Sequence, residues 1–266
     1  MGLFHIDYNK PGPGVRKDEP KKNAFIRFFA ILFRKFTQLV ELNLLFSVFA
    51  IIALAITYLL RNLIPDFLLV IIPILLISPS LAGLTFVTRN YAREEHAFLM
   101  GDFFDAIKQN WKMFLANGVV CILLYLVLSV SIRFYYHKLT DGTLYAVALC
   151  LCIAIALLLL FAQYYVPLMA VTFDLNLLQI YKNALIFAII GLWRNILITI
   201  LLAVLTLILY LSQIMALSLM IGIVFVLTLL FSFGMFLINF TIYPLVDKTM
   251  IQPYQNSLQG ESDKKE

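Results

Sequence analysis

Charge is what this chain lacks over its longest stretches. From Asn195 to Val246, 52 residues in a row, there is no Asp, Glu, Lys, Arg or His. As a single helix this run would measure about 78 Å at about 1.5 Å per residue, against a hydrocarbon core of about 30 Å, so it folds back once and crosses a bilayer twice. The reversal falls at Ser212–Ser218, the most polar patch in the run. Charged residues make up 13% of the chain and hydrophobic residues 62%, far from the roughly one-quarter charged composition of soluble domains. Several such apolar blocks cannot all hide in one soluble core, so the chain reads as an all-α polytopic membrane protein.

Cysteine is scarce too. Cys121, Cys150 and Cys152 all lie in apolar runs, which excludes a disulfide framework and reads as small buried hydrophobes. The three histidines, His5, His96 and His137, are scattered, with no His-Glu-x-x-His or comparable ligand spacing for a metal. Lys10-Pro11-Gly12-Pro13-Gly14-Val15 lacks the Gly-Lys-Ser/Thr ending of a phosphate loop. These absences leave no catalytic, cofactor-binding or metal site to nominate, and no enzyme is expected. A net charge of +5 invites a nucleic-acid reading. It is rejected because the cations gather where helices leave the membrane, and no polar domain presents them.

What is present sorts into a basic arm (1–22), a six-helix membrane domain (23–248) and a polar tail (249–266). The polar first twenty residues predict no cleavable secretory signal. Asn23–Phe36 has Arg27 and Arg34 seven apart and an aromatic face of Phe25, Phe28, Phe29 and Phe36. Such a helix suits the headgroup plane, although it could also run on into the first span. Six spans are expected: Leu42–Leu60, Phe67–Thr88, Met113–Ile132, one within Thr143–Phe173, and the two limbs of the long hairpin, with Pro244 closing the sixth. Pro73 and Pro79 interrupt the second span and predict a kink. Asp174–Arg194 predicts an amphipathic start followed by an apolar stretch too short to span.

Between spans two and three lies the longest internal polar stretch, Arg89–Lys112, and from Asp102, its cap, the pattern predicts a surface helix. Asp102, Asp105, Gln109 and Lys112 line one side, and Phe103, Phe104, Ile107, Trp111 and Phe114 the other. A faint repeat at an offset of 82 sets Ala106-Ile107…Trp111-Lys112 against Ala188-Ile189…Trp193-Arg194. With six spans, 17 of the 20 Lys and Arg residues fall on the face that carries both termini; by the positive-inside rule that face is cytoplasmic.

The order of features resembles the YesL-like family of bacterial membrane proteins. The resemblance is carried by Lys10–Val15, Glu41-Leu42-Asn43-Leu44-Leu45, the Pro73–Leu84 segment with its Ser78-Pro79-Ser80 core, and Asp102-Phe103-Phe104…Asn110-Trp111-Lys112. It implies a cell-membrane protein of Gram-positive bacteria, in the genetic company of carbohydrate ABC importers. Two functional expectations follow. The first is an accessory protein without catalysis of its own, resting in the lipid bilayer and docking oligosaccharide ABC importer subunits through Asp102, Asp105, Gln109, Trp111 and Lys112. The second is a carrier or channel for a neutral solute, with Asn43, Pro73, Pro79, Gln163 and Asn239 lining its path.

Overall fold

The computed structural model describes residues 23–212 and 216–253. The basic arm, residues 213–215 of the reversal, and the tail from residue 254 lie outside the described residues. Helices follow one another as α1 (Ala24–Arg34), α2 (Phe36–Leu60), α3 (Asp66–Ile77), α4 (Ser80–Ala92), α5 (Leu99–His137), α6 (Thr143–Ala170), α7 (Leu177–Ile190), α8 (Leu192–Leu211), α9 (Ala216–Phe225) and α10 (Phe231–Val246). Among the described residues there is no strand. Among the described residues five helical runs are long and apolar enough to cross a membrane, or six if α3 and α4, bent by 45° from one another, count as one span. The chain is therefore an all-α, multi-pass membrane protein.

The bend lies at Ser78-Pro79, between α3 and α4, while Pro73 is accommodated inside α3. Proline lacks the N–H that would continue the ladder, and the Ser78 and Ser80 hydroxyls cap the carbonyls of Ile74 and Ile77 at 2.6 and 2.7 Å. A one-residue break at Lys35 separates α1 from the first span.

Two boundaries and one exposure differ from expectation. α5 is one unbroken helix of 39 residues, so no separate surface helix precedes span three. Asp102 still caps its start, accepting the Phe98 N–H at 2.9 Å. On its outer side stand Phe104 and Trp111 together with Asp105, Gln109 and Lys112, while Phe103, Ala106 and Phe114 are buried. Pro244 does not end the sixth span, because α10 passes through it to Val246. Cys150 is exposed on the bare protein surface rather than buried, since an apolar thiol can face lipid as readily as a core.

Two cores hold the bundle. One joins α6, α7 and α8 to the end of α10 through Tyr165, Leu168, Ile180, Phe187, Ile198 and Ile242. The other joins α1, α2, α4 and the start of α5 to the middle of α10 through Phe28, Leu39, Phe46, Leu84, Phe103 and Phe236. α10 belongs to both and is the common spine. Immediately before it, between α9 and α10, lies a π-helical segment, Val226–Leu230, which leaves carbonyls without their usual partners. Asn43, fully buried on α2, donates to the Val226 and Leu227 carbonyls at 3.0 and 2.7 Å and accepts the Ser232 N–H at 2.9 Å.

Candidate functional site

One end of the bundle collects arginines from helices distant in sequence. Arg89, in the last turn of α4, is only 7% exposed and, among the described residues, has no carboxylate within ion-pair distance. Its guanidinium donates to the Val171 carbonyl (2.7 Å), the Thr172 hydroxyl (3.1 Å) and the Asn90 side chain, and lies 4.4 Å from the Phe86 ring centroid. Val171 is the C-cap of α6, so a fixed cation meets the negative end of a helix dipole and its orphan carbonyls. Arg89 therefore fastens span two to span four. In the sequence it is only one of the cations of the polar stretch Arg89–Lys112, and no local signal distinguishes it from Arg93.

A second cluster is built on the end of α4. The Glu95 N–H reaches the Asn90 carbonyl (2.9 Å) and the Glu94 N–H that of Tyr91 (3.0 Å), the paired bonds of a Schellman motif. Its left-handed position, normally glycine, is occupied by Glu94 at φ 61°. A side chain there costs about 1–2 kcal/mol. Two cations hold it: Arg27 Nε and Arg34 Nη2 from α1 each donate to one carboxylate oxygen at 2.8 Å. The Arg34 hydrogen bond, with help from Arg27, holds the Glu94 carboxyl below the usual carboxylate range. The seven-residue spacing of the arginines was legible in the sequence; their partner was not.

Beside this clamp a cavity of about 1160 Å³ opens between α1, α8 and α10. Its deep wall is apolar, with Leu201, Val204, Leu237 and Phe240 prominent, and its mouth carries Arg27, Arg34, Glu94 and Arg194. Phe28 stacks on Phe236 (5.3 Å between centroids) and meets Phe240 edge-on (5.2 Å), which fixes α1 across the opening. Arg194, at the start of α8, has one long contact, 3.4 Å to the Thr241 carbonyl.

The five residues expected to line a solute path are not brought together. Asn43 fastens the π-segment, Pro73 and Pro79 shape span two, and none of the five lines the cavity. Asn239 is fully buried, donating to the Thr85 carbonyl and the Thr88 hydroxyl. Gln163 belongs to a third cluster: its carbonyl accepts from Asn117 at 3.2 Å and its amide donates to the Tyr181 hydroxyl at 3.1 Å. Tyr181 in turn donates to Asn117 at 2.6 Å, closing a ring across α5, α6 and α7.

Asp102, Asp105, Gln109, Trp111 and Lys112 all lie in the first four turns of α5, with Asp102 turned partly inward by its cap and the others exposed. Lys108 joins them, 3.7 Å from Asp105, and the Lys112 ammonium sits over the Trp111 ring at 5.6 Å. Among the described residues no group of three His, Cys, Asp or Glu stands close enough together to hold a metal ion.

Residues 39–132 match the protein family described as Protein of unknown function, DUF624. That family includes YesL-like membrane proteins. The DUF624 segment runs from the first turns of α2 through the bent span and into α5; it contains Asn43, Ser78-Pro79, Arg89, Glu94 and the exposed face of α5, and excludes α7, α8 and α10. No curated protein and no solved structure matches the chain.

Proposed function

We propose that this protein is a non-enzymatic accessory component of the cell membrane, YesL-like, with both termini in the cytoplasm, that docks an oligosaccharide ABC importer through the exposed face of α5. The observation that supports this reading is the length of that helix. Its uncharged part, Met113–Ile132, is 20 residues, about 30 Å of helix and so enough for the hydrocarbon core. The preceding 14 residues, Leu99–Lys112, project about 21 Å further. They present Asp105, Lys108, Gln109, Trp111 and Lys112 on one accessible surface. Mixed charges around an exposed tryptophan are the composition of a protein contact. The sidedness of the cations and the YesL-like resemblance supply the compartment and the kind of partner.

Affinity purification of the tagged full chain from a Gram-positive host, with and without crosslinking, tests the reading. Recovery of importer subunits, lost with Trp111→Ala plus Lys112→Glu, supports it. Recovery of none in mild detergent and after crosslinking refutes it. Glycan uptake in cells lacking this protein, with the importer intact, separates an accessory role from a carrier: an accessory role predicts weakened importer-dependent uptake only.

A further inference from the structure

The cavity between α1, α8 and α10 combines two chemistries that one class of molecule satisfies. We propose that it is a binding site for a diacyl phospholipid with an anionic headgroup, the headgroup held by Arg27, Arg34 and Arg194 and the acyl chains lying along Leu201, Val204 and Leu237. At about 1160 Å³ it exceeds the roughly 300–1,000 Å³ typical of small-molecule pockets. Its wall is formed by side chains that a bilayer span leaves to lipid: Leu201 and Val204 are 45% and 49% exposed on the bare protein.

Charge at the mouth is unbalanced. Among the described residues, three guanidinium groups stand there with one carboxylate, Glu94. Each of Arg27 and Arg34 binds that carboxylate through a single nitrogen, and Arg194 has no acidic partner among the described residues. Guanidinium forks match phosphate oxygens bidentately, and basic pockets between membrane helices are a recurrent setting for anionic headgroups. The headgroup therefore competes with Glu94 for α1, a contest eased by the strained backbone that Glu94 occupies.

The chain's own ends are poorer occupants. Residues 1–22 carry Lys10, Arg16, Lys17, Lys21 and Lys22 against Asp7, Asp18 and Glu19, so the arm would bring cations to a cationic mouth. Residues 254–266 contain no apolar run that could fill the wall.

The test places a photoreactive amino acid at Leu201 in the full chain, reconstituted in vesicles of equal phosphatidylglycerol and phosphatidylcholine. A second protein carries it at Ile153, exposed on α6, to report bulk lipid. After irradiation, intact-mass analysis identifies the adduct. Phosphatidylglycerol should exceed phosphatidylcholine by fivefold or more at position 201 and not at 153, because each basic side chain near an anionic headgroup contributes about fivefold. Arg194→Gln, which leaves the Arg27–Glu94–Arg34 clamp intact, should cut the preference about fivefold, and Arg34→Gln with Arg194→Gln should abolish it. Equal labelling by the two lipids would overturn the proposal. So would a preference that survives both substitutions, or an adduct with residues 1–22, with the tail or with a second copy of the chain.

Discussion

The two halves of the bundle make the same kind of helix crossing in opposite ways. At the 82-residue offset, Ala106 and Ala188 are both buried and Trp111 and Trp193 both exposed, so the faint sequence repeat matches in burial. Gly83 of α4 corresponds to Tyr165 of α6, and Gln109 of α5 to Gly191. In the first half the small residue lies on the bent span: a Cβ at Gly83 would sit 2.7 Å from the Phe103 carbonyl oxygen and 2.5 Å from its ring. α5 then continues unbroken. In the second half the large residue lies on the span, and Tyr165 packs where a Cβ on Gly191 would be. The glycine now interrupts the helix, separating α7 from α8. Asn195 repairs the gap, donating to the Ala188 carbonyl (3.0 Å) and accepting from the Tyr165 hydroxyl (2.9 Å). Close approach needs one small partner, and which helix supplies it decides whether a helix stays whole.

The sharpest way to break this correspondence is to cut the link between the halves. Arg89 bonds to residues 171 and 172, 82 and 83 positions on. Arg89→Ala removes charge-assisted bonds of about 1.5–3 kcal/mol each and opens the α6 terminus; a loss of about 3 kcal/mol or more is expected, read as thermal unfolding in mild detergent. Overpacking comes next. Gly83→Ala and Gly191→Ala should each cost about 1–3 kcal/mol, but they should differ in rescue. The obstacle at 191 is first the Tyr165 hydroxyl, so Tyr165→Phe should recover part of the loss, with a coupling above about 0.5 kcal/mol. At Gly83 the Phe103 backbone carbonyl stands 2.7 Å from the added Cβ, nearer than the Phe187 carbonyl is to a Cβ at 191 (2.9 Å), so Phe103→Leu should recover less. Equal rescue at both sites would mean that the crossings are not inversions of each other. Of similar size is Asn195→Ala, at about 1–3 kcal/mol for stranding two buried polar partners, with protection lost at the α7–α8 junction in hydrogen exchange.

Long uncharged runs were enough to read the spans, because no other structure satisfies the backbone of such residues in lipid. The Pro79 bend was legible for the same local reason, a missing N–H. What escaped depends on partners remote in sequence. Asn43 reads as a helix-end polar group until the π-segment before α10 comes alongside. Arg89 reads as one more cation of the polar stretch Arg89–Lys112 until the α6 terminus arrives. The continuity of α5 was hidden because charged residues along Leu99–Lys112 mark solvent, not a helix end. The cavity has walls from three helices up to about 200 residues apart and no signature in any one of them.

The contrast narrows to Glu94, which has both a strained backbone and an ionic function, and two substitutions separate them. Glu94→Gln keeps the left-handed backbone and discards the charge, so it loses two half-exposed ion pairs worth about 0–1 kcal/mol each and regains nothing. Glu94→Gly loses the same pairs but is released from a penalty of about 1–2 kcal/mol, so its unfolding temperature should be at or above that of the unaltered protein while Glu94→Gln falls below it. Both should loosen α1, seen as increased mobility of a spin label at Ile26, an exposed position of that helix. The pH dependence follows from the lowered carboxyl pKa of Glu94. A group whose folded pKa lies below its unfolded value contributes fully above the ordinary carboxylate range and stops contributing as pH falls through the lowered value. Acidification should therefore mobilise the label in the unaltered protein and leave it unchanged in both variants; a transition of equal size in Glu94→Gln would assign the holding of α1 to another acid.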